Sequence, residues 1–223
     1  MKKNNPIKGV LFDLDGTLAD TAIDLIGSLN ASLNEFGYDS CDPIIARSSA
    51  SHGSLYMVQT ALPNLSVVEQ KHIQSGLLVH YQRLNGENGG LFEGMSELLS
   101  QLKQLNIPFG VVTNKPARFC RPLITKLGLL SDIGCIVSGD STSFPKPHSA
   151  PMLLAAQQIN CLPADILYIG DAQRDIEAAK NSGMRSVAAL WGYIAHNDEP
   201  ESWGADHSLK TPIDLLQLFK MQN

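Results

Sequence analysis

Apolar positions along the chain follow two different patterns, which divide it into two regions. Between residues 20 and 84 they recur every three or four residues, with stripes over 20–37, 53–62 and 66–84, which is the spacing of amphipathic helices. The sequence Ser66-Val67-Val68-Glu69 begins the last stripe with a capping box, a typical helix start. Because no strand pattern occurs in this region, we predict a block of helices there.

From residue 95 onward, helical and strand patterns alternate. Short apolar runs predict strands at 107–112, 135–137, 166–169 and 187–190, and helical spacings predict helices at 95–105, 117–127, 149–159, 174–181 and 212–219. An earlier run, Gly9-Val10-Leu11-Phe12, predicts one more strand before the helical block. Such alternation is typical of an α/β fold, a parallel sheet covered by helices on both faces. The helical block is therefore an insert, which we expect a flexible glycine-rich segment at 85–90 to connect to the rest.

Composition excludes some functions. The 223 residues, 43% of them hydrophobic and 17% charged, suit one mid-sized domain or a core with a smaller insert. A net charge of -5 argues against a broad nucleic-acid surface, although it allows a small positive pocket. No apolar run approaches the length of a membrane span, and the run after Lys2 and Lys3 is too short and broken for a signal peptide. The four cysteines form no CxxC motif, so we expect buried thiols and a cytoplasmic location.

Two carboxylates follow the first predicted strand, in the stretch Asp13-Leu14-Asp15-Gly16-Thr17. Side chains two apart in a strand point to the same face, so we expect the Asp13 and Asp15 carboxylates to lie together. Their repulsion at the end of a buried strand requires a cation, and Mg2+ prefers such oxygen ligands. Gly16 permits the sharp turn out of the strand. A simple acidic turn is the alternative explanation when this stretch is considered by itself.

Polar side chains also follow the other predicted strands. Thr113 and Asn114 come after the second strand, Lys146 lies between two prolines after the third, and Asp171 ends the fourth, with Asp175 just beyond. In open α/β sheets, ligands bind at the carboxyl ends of the strands, so we expect these groups to converge on one crevice. Each has a simpler alternative: a helix cap for Thr113, Asn114 and Asp175, and a solvated surface position for the lysine.

Together these stretches resemble, in order, the four motifs of the haloacid dehalogenase-like hydrolase superfamily. The continuation Leu18-Ala19-Asp20-Thr21-Ala22-Ile23-Asp24-Leu25 is similar to its phosphoglycolate phosphatase-like branch. The resemblance implies a Rossmann-like doubly wound parallel sheet core, at residues 1–19 and 88–223, and an inserted α-helical cap domain at 20–87. It also implies that Asp13 is the nucleophile and Asp15 the general acid/base. Lys146 is then a catalytic and phosphate-binding residue, Thr113 and Asn114 are phosphate-binding residues, and Gly16, Thr17 and Asp175 are supporting residues. The implied Mg2+ site consists of Asp13, the backbone carbonyl of Asp15, and Asp171.

The activity implied by the resemblance is that of a Mg2+-dependent phosphatase. An enzyme of this kind hydrolyses a small phosphate monoester through an aspartyl-phosphate intermediate. Within the family, the resemblance is greatest to phosphoglycolate phosphatase. Phosphatases of N-acetylmuramic acid 6-phosphate or another sugar phosphate are alternatives, as are a phosphomutase and a catalytically silent binding or regulatory domain. A polar segment that contains Arg47, Ser51, His52 and Gly53 resembles the cap loop that faces the substrate. As partners we expect a small phosphorylated metabolite and no nucleic acid or membrane, in a monomer or homodimer.

Overall fold

The computed structural model describes residues 6–195 and 197–220, which form a six-stranded sheet, a two-stranded ribbon and a set of helices. In chain order the strands are β1 (Gly9–Phe12), β2 (Ala19–Asp20), β3 (Gly90–Leu91), β4 (Phe109–Val112), β5 (Cys135–Val137), β6 (Ile166–Gly170), β7 (Arg185–Ala189) and β8 (His207–Leu209). The α-helices are α1 (Ala22–Glu35), α2 (Pro43–Ser49), α3 (Ser54–Ala61), α4 (Val67–Leu84), α5 (Met95–Gln104), α6 (Ala117–Lys126), α7 (Ala150–Gln158), α8 (Gln173–Ser182) and α9 (Leu215–Lys220). Short 3-10 helices cover Ala50–His52, Pro163–Asp165, Pro200–Trp203 and Pro212–Asp214. Within the described ranges, no helix combines the length and the apolarity needed to cross a bilayer.

The large sheet has the strand order β5-β4-β1-β6-β7-β8, and each neighbouring pair of strands is parallel. This arrangement confirms the predicted α/β fold with a Rossmann-like parallel sheet. β1 lies inside the sheet, where Val10 pairs with Phe109 on one side and with Leu167 on the other. The carboxyl end of β1 therefore opens between the loops that follow β4 and β6, which is where ligands bind in such sheets.

The edge strand β8 has no counterpart in the hydrophobic pattern. His207 and Leu209 are only half-buried and Ser208 is exposed, so the segment contains no apolar run. It is defined by pairing with β7, where Val187 lies opposite His207 and Ala189 opposite Leu209. Periodicity does not predict a strand this short, because backbone pairing rather than a buried face holds it in place.

Helices cover both faces of the sheet, and the side chains of β1 alternate between them. Val10 and Phe12 belong to one core cluster, and Leu11 belongs to another on the opposite face. The first cluster includes residues of α5, α6 and α9, namely Leu98, Leu102, Leu123, Ile124 and Leu215. The second includes residues of α7 and α8, namely Met152, Ala155, Ala178 and Ala179. Burial on both faces explains why the strands are continuous apolar runs.

The helices α1 to α4 occupy the region predicted as a helical block and form most of a third core cluster, which Phe119 and Tyr193 join from outside this region. Leu29 of α1 packs with Ile73 and Leu77 of α4 in this cluster. The predicted capping box is confirmed, since Ser66 N donates to Glu69 Oε2 at 2.9 Å and Glu69 N donates to Ser66 Oγ at 3.3 Å. The position of α4 is therefore fixed by an apolar stripe and by a defined start.

Two chain segments connect this helical region to the sheet, and they pair with each other. β2 and β3 are antiparallel, with Ala19 opposite Leu91 and Asp20 opposite Gly90. We did not predict this ribbon, because two residues in each strand carry no detectable period. The ribbon lies beside both predicted domain boundaries. The division into a core (1–19 and 88–223) and a cap (20–87) stays a prediction.

Buried Asp24 of α1 holds the second of these segments. Its carboxylate accepts hydrogen bonds from Gly86 N at 2.9 Å, Asn88 N at 3.1 Å and Asn88 Nδ2 at 2.9 Å. Hydrogen bonds to an ionised acceptor are stronger than neutral ones. The segment that we expected to be a flexible connection is thus tied to the first turn of α1.

Candidate active site

The Asp13 side chain lies at the carboxyl end of β1 and is almost fully buried. Its Oδ1 accepts a hydrogen bond from Leu14 N at 2.7 Å and forms an ion pair with Lys146 Nζ at 2.9 Å. Burial favours the neutral acid, but Lys146 and Arg174 outweigh it and hold the pKa of Asp13 below its ordinary value. Asp13 is therefore an ionised carboxylate on the wall of a cavity, as a carboxylate nucleophile must be.

Lys146 has a fully buried side chain that bridges two carboxylates. Its Nζ lies 2.9 Å from Asp13 Oδ1 and 2.7 Å from Asp175 Oδ1, and it donates to Tyr168 Oη at 2.7 Å. Its backbone is fixed by Asn114, whose Oδ1 accepts from Lys146 N at 2.9 Å and whose Nδ2 donates to Lys146 O at 3.0 Å. The ammonium is thus held beside Asp13, where it can stabilise an anion without rearranging.

Thr113 and Asn114 line the same cavity as Asp13. Thr113 Oγ1 accepts a hydrogen bond from Lys115 N at 3.2 Å, which leaves the hydroxyl proton available to an anion. Asn114 uses both polar groups of its side chain on the backbone of Lys146. In this structure Asn114 positions the lysine, and phosphate binding by Thr113 and Asn114 stays a prediction.

Three buried carboxylates meet beside the end of β1. Oxygen atoms of Asp13, Asp171 and Asp175 all lie within 4.8 Å of one another. Burial, together with the charges of Asp13 and Asp175, raises the pKa of Asp171 to about 7. A divalent cation favours the ionised form of a buried carboxylate and offsets the repulsion among the three. This group of hard oxygen donors therefore fits a divalent metal ion. The Asp15 carboxylate lies outside the group, and the predicted role of Asp15 as a ligand concerns its backbone carbonyl.

Donors from several parts of the chain orient Asp171. Ser51 Oγ donates to its Oδ2 at 2.6 Å, Tyr193 N donates to the same oxygen at 2.9 Å, and Thr17 Oγ1 donates to Oδ1 at 3.3 Å. Gly16 permits this packing, because its φ is 80° and a Cβ there would overlap the Asp171 carboxylate. Gly16 and Thr17 therefore lie directly against the predicted metal ligand.

Asp15 reaches the cavity through a turn that follows β1. The strand ends at Phe12, and Gly16 N donates to Ala19 O at 3.0 Å as the chain turns. Asp13 and Asp15 both line the cavity. The two carboxylates therefore open onto one site, as we expected, but the strand geometry from which we expected it does not extend beyond Phe12.

Lys115 links Asp15 to the helical region. Its Nζ donates to Asp15 Oδ1 at 2.8 Å and Oδ2 at 3.1 Å, and to Tyr81 Oη on α4 at 2.6 Å. Thr21 Oγ1 also donates to Asp15 Oδ1, at 2.6 Å. Burial opposes the charge on Lys115, but Asp15 and Tyr81 raise the pKa of Lys115 above its ordinary value. The lysine is thus cationic and fixes the orientation of the Asp15 carboxylate.

Arg174 places a further cation near Asp13. Its Nη2 donates to the backbone carbonyl of Ser51 at 2.6 Å and lies 3.9 Å from Asp13 Oδ2. Burial opposes its charge, but the carboxylates of Asp175 and Asp13 raise the pKa of Arg174 above its ordinary value. Because Arg174 lines the cavity, an anion bound at Asp13 meets positive charge from this side too.

The cavity above these groups has a volume of about 540 Å3. Loops at the carboxyl ends of the strands supply one wall: Asp13, Asp15, Thr113, Asn114 and Lys115. The helical region supplies the other, which includes Leu25, Leu55, Gln74, Leu78 and Tyr81. The predicted specificity residues Ser51, His52 and Gly53 also line it. Burial and the charge of Arg174 lower the pKa of His52.

Arg47, the remaining predicted specificity residue, is not part of the cavity wall. Its guanidinium pairs with both carboxylate oxygens of Asp20, at 3.0 and 2.9 Å, and its Cζ lies 4.9 Å from the centre of the Tyr193 ring. A resemblance between loops does not fix side-chain direction, and here a carboxylate of the ribbon is the partner. The structure therefore gives no support to a substrate contact by Arg47, and the predicted role remains without evidence.

Sequence reasoning missed three cations of the cavity wall: Lys115, Arg118 and Arg174. Lys115 directly follows Asn114, and Arg174 directly precedes Asp175. Their places inside two predicted motifs were the available signal. Arg118 lies in the first turn of α6, outside the four motifs, and no sequence pattern singled it out.

Residues 10–189 match the family model of the haloacid dehalogenase-like hydrolases, and the chain belongs to this family. The matched segment contains Asp13, Thr113, Lys146, Asp171 and Asp175. The resemblance inferred from the four motifs is therefore confirmed.

Relatives cover nearly the whole chain. It is 39% identical over 216 residues to the N-acetylmuramic acid 6-phosphate phosphatase of Pseudomonas putida, covering 96% of both chains. It is 38% identical over 210 residues to the phosphoglycolate phosphatase of Xanthomonas campestris pv. campestris, covering 94% of this chain and 95% of that one. A solved structure of a predicted phosphoglycolate phosphatase from Haemophilus somnus has a TM-score of 0.85 at 27% identity, covering 95% of this chain and 97% of that one.

Proposed function

We propose that this protein is a metal-dependent phosphatase that hydrolyses a small phosphate monoester by transferring its phosphoryl group to Asp13. The observation that carries the proposal is the buried ammonium of Lys146, 2.9 Å from Asp13 and next to three clustered carboxylates. A carboxylate and a phosphate monoester repel each other, so such a nucleophile needs fixed positive charge around it. The phosphatases among the relatives support the same activity.

Asp13 and Asp15 divide the chemical work in this mechanism. The Asp13 carboxylate attacks phosphorus, the bond between phosphorus and the alcohol oxygen breaks, and an aspartyl-phosphate forms. Asp15 begins the cycle as the acid: it gives its proton to the leaving alcohol and then, as a carboxylate, takes a proton from the water that attacks the aspartyl-phosphate. Phosphate leaves, Asp13 is again a free carboxylate and Asp15 is again the acid. Contacts with Lys115 and Thr21 orient Asp15 for these two proton transfers.

The phosphoryl group is bound by cations and donors of the core wall. Lys146 neutralises charge at Asp13 Oδ1, and Arg174 Nη2 lies 3.9 Å from Asp13 Oδ2. Thr113 offers its hydroxyl proton, and Asn114 keeps the lysine in place. These groups are fixed before substrate binds, so little reorganisation is needed as charge develops in the transition state.

Mg2+ is the metal that we propose for the acidic cluster, held by Asp13, Asp171 and the backbone carbonyl of Asp15. A bound divalent cation neutralises and orients phosphoryl oxygens. Asp175 Oδ1 pairs with Lys146 at 2.7 Å, and its Oδ2 accepts from Ala172 N at 3.2 Å. Asp175 therefore supports the site by holding the lysine and by adding negative charge.

We propose a phosphorylated acid as the substrate. Phosphoglycolate and N-acetylmuramic acid 6-phosphate, which name the activities of two relatives, both carry a carboxylate besides the phosphate. The cavity of about 540 Å3 lies in the range of about 300–1,000 Å3 that is typical of pockets for drug-sized ligands. A cavity of this size has room for the sugar acid as well as for the two-carbon acid. A cytoplasmic location and a monomeric or homodimeric state stay predictions.

Hydrolysis of p-nitrophenyl phosphate, with Mg2+ and with a chelator, tests the proposal. We expect turnover only with the metal, none in Asp13→Asn, and an unchanged melting temperature in that variant within a few degrees. Asp39→Asn, at an exposed position, is the matched control and keeps full activity. Equal activity of the wild type and Asp13→Asn would refute the covalent route. Inactivity of the wild type on a panel of phosphate monoesters would overturn the proposed hydrolase and leave the phosphomutase and the silent binding domain as alternatives.

A further inference from the structure

A second, smaller cavity adjoins the reaction cavity, and Arg118 borders both. The smaller cavity has a volume of about 220 Å3 and is lined by Ser75, Leu78, Val79, Gln82, Arg118 and Phe119. Three of these residues, Leu78, Arg118 and Phe119, also line the reaction cavity. Arg118 therefore lies where the two cavities meet, between α4 and the start of α6.

Arg118 differs from the other cations of the reaction cavity in its partners. Lys115 is bonded to Asp15, and Arg174 is bonded to the carbonyl of Ser51. Among residues 6–195 and 197–220, no hydrogen bond or ion pair engages the Arg118 guanidinium, whose Cζ lies 4.7 Å above the centre of a phenyl ring. Its donors are therefore available to a ligand.

The ring beneath the guanidinium is that of Phe119, which is buried and packs against Tyr81 with 5.3 Å between ring centres. Stacking on a fixed ring restricts the planar guanidinium and lowers the entropy that it loses when a ligand binds. Arg118 is thus an oriented cation on the cavity wall even though the side chain reaches solvent.

We infer that Arg118 binds a carboxylate of the substrate, while the phosphate of the same molecule lies at Asp13. This inference rests on the proposed phosphatase function and adds a second anion subsite to it. A guanidinium matches a carboxylate with two parallel hydrogen bonds. Arg118 also borders the second cavity, which adds room beside the reaction cavity for an acid larger than a two-carbon one. The substrate class is a phosphorylated sugar acid, with its carboxylate on a side chain away from the phosphate.

Two substrates that differ only by the acid give the test. N-acetylmuramic acid 6-phosphate carries a lactyl ether with a carboxylate, and N-acetylglucosamine 6-phosphate lacks that group. For Arg118→Ala, we expect the ratio of kcat/KM for N-acetylmuramic acid 6-phosphate to kcat/KM for N-acetylglucosamine 6-phosphate to fall about 10- to 100-fold, the loss expected for a hydrogen bond to a charged group. The ratio should fall because KM for N-acetylmuramic acid 6-phosphate rises. Arg118→Lys should have a smaller effect on this KM than Arg118→Ala. Arg121→Ala, at an exposed position on the same helix, is the matched control and should leave the ratio unchanged.

A binding measurement separates this inference from the proposed function. Calorimetric titration of both sugar phosphates into Asp13→Asn protein needs no turnover, and it is repeated with Arg118→Ala added. Tighter binding of the acid that is lost with Arg118 supports the subsite whether or not the wild type is a phosphatase. Equal losses for both sugar phosphates, or no loss for the acid, overturn it. Failure of the wild type to hydrolyse p-nitrophenyl phosphate contradicts the proposed function instead.

Discussion

The two walls of the reaction cavity use their polar groups in opposite ways. On the core wall, Asp13 is paired with Lys146, which lies behind the wall, and Asp15 is paired with Lys115. Of these four side chains, all but Asp15 are nearly excluded from solvent. The helical wall combines leucines, Leu25, Leu55 and Leu78, with polar side chains such as Ser51 and Gln74. Fixed charges serve one kind of chemistry, whereas leucines and uncharged polar groups offer shape and a few hydrogen bonds. We expect the core wall to carry the reaction, and the helical wall together with Arg118 of α6 to contact the rest of the substrate.

Removing Lys146 should have the largest effect, because its ammonium pairs with both Asp13 and Asp175. Lys146→Met keeps the stem and deletes the charge, so we expect kcat on p-nitrophenyl phosphate to fall about a thousandfold. Asp13 and Asp175 lose their buried partner, so the free energy of unfolding should fall by about 3 kcal/mol. Enzyme kinetics and urea unfolding measure both effects. Lys210→Met, at an exposed position, is the control, and near-normal turnover of Lys146→Met would show that the core wall does not depend on this cation.

Gly16→Ala tests the packing behind the core wall. A Cβ at Gly16 would overlap the Asp171 carboxylate, whereas a Cβ at Gly37 meets nothing within 4 Å, and both glycines have φ near 80°. Gly37→Ala therefore has the same backbone strain without the overlap, at a cost of about 1 kcal/mol. We expect Gly16→Ala to weaken Mg2+ activation about a hundredfold or more and Gly37→Ala to leave it unchanged, in titrations of activity with the metal. Equal effects of the two substitutions would mean that strain alone is responsible.

The stability of metal-free protein should depend on the pH through Asp171. Its pKa is about 7 in the folded state, against an ordinary value of 3.8. Between about pH 4 and pH 7 the folded state keeps a proton that the unfolded state has lost, so stability falls as the pH rises through this window. We expect a loss of about 2–4 kcal/mol, measured by urea unfolding in a chelator.

Asp171→Asn removes this titrating group and should make the slope smaller, although Asp175, whose pKa is also raised by burial, still contributes to it. Added Mg2+ should restore stability at pH 7 in the wild type. The same slope in both proteins would show that Asp171 is not the group responsible. The pKa of Asp13 is lowered, so its contribution to the free energy of unfolding is lost only at lower pH. It therefore does not affect the comparison of the wild type with Asp171→Asn in this window.

Tyr81→Phe addresses the contact that joins the two walls. It deletes the hydroxyl that accepts from Lys115 at 2.6 Å and keeps the ring against Phe119. We expect kcat to fall about three- to tenfold, the effect of one lost hydrogen bond on the orientation of Asp15. Tyr56→Phe, at an exposed position, should have no effect. A loss as large as that of Lys146→Met would place Tyr81 in the chemistry itself.

Arg47→Ala should have the smallest effect. Its ion pair with Asp20 is partly exposed on both sides, and such pairs contribute about 1 kcal/mol or less. We expect kcat/KM for the phosphorylated acids to stay within about threefold of the wild type and the melting temperature to fall slightly. A tenfold rise in KM with unchanged kcat would show that Arg47 contacts the substrate and belongs to the substrate-binding wall.

The placement of the core residues could be predicted because it follows from the fold class. Buried strands give continuous apolar runs, and Asp13, Thr113 and Asp171 each follow such a run directly. The carboxyl ends of neighbouring parallel strands meet at one edge, so these residues converge without any knowledge of side-chain packing. Lys146 was located by its motif, and the Asn114 side chain that holds it became visible only in the structure.

The partners of charged side chains could not be predicted in the same way. Arg47 pairs with Asp20 of the ribbon. Lys115 connects Asp15 to Tyr81, which lies 66 positions further along the chain. Long side chains reach across elements, and their choice among several opposite charges depends on packing. The ribbon of β2 and β3 and the strand β8 escaped prediction for a related reason, since pairing and not periodicity defines them.

In the proposed mechanism, Asp13 carries the phosphoryl group during turnover. Asp15→Asn should slow the second step, because no base remains to activate water. The variant is mixed with p-nitrophenyl phosphate and Mg2+, stopped in acid and digested, and the peptide that contains Asp13 is analysed by mass spectrometry. The account predicts one added phosphoryl group on Asp13, removable by hydroxylamine and absent when Asp13 is also replaced by Asn. Turnover by Asp15→Asn with an unmodified Asp13 at every time point would contradict it.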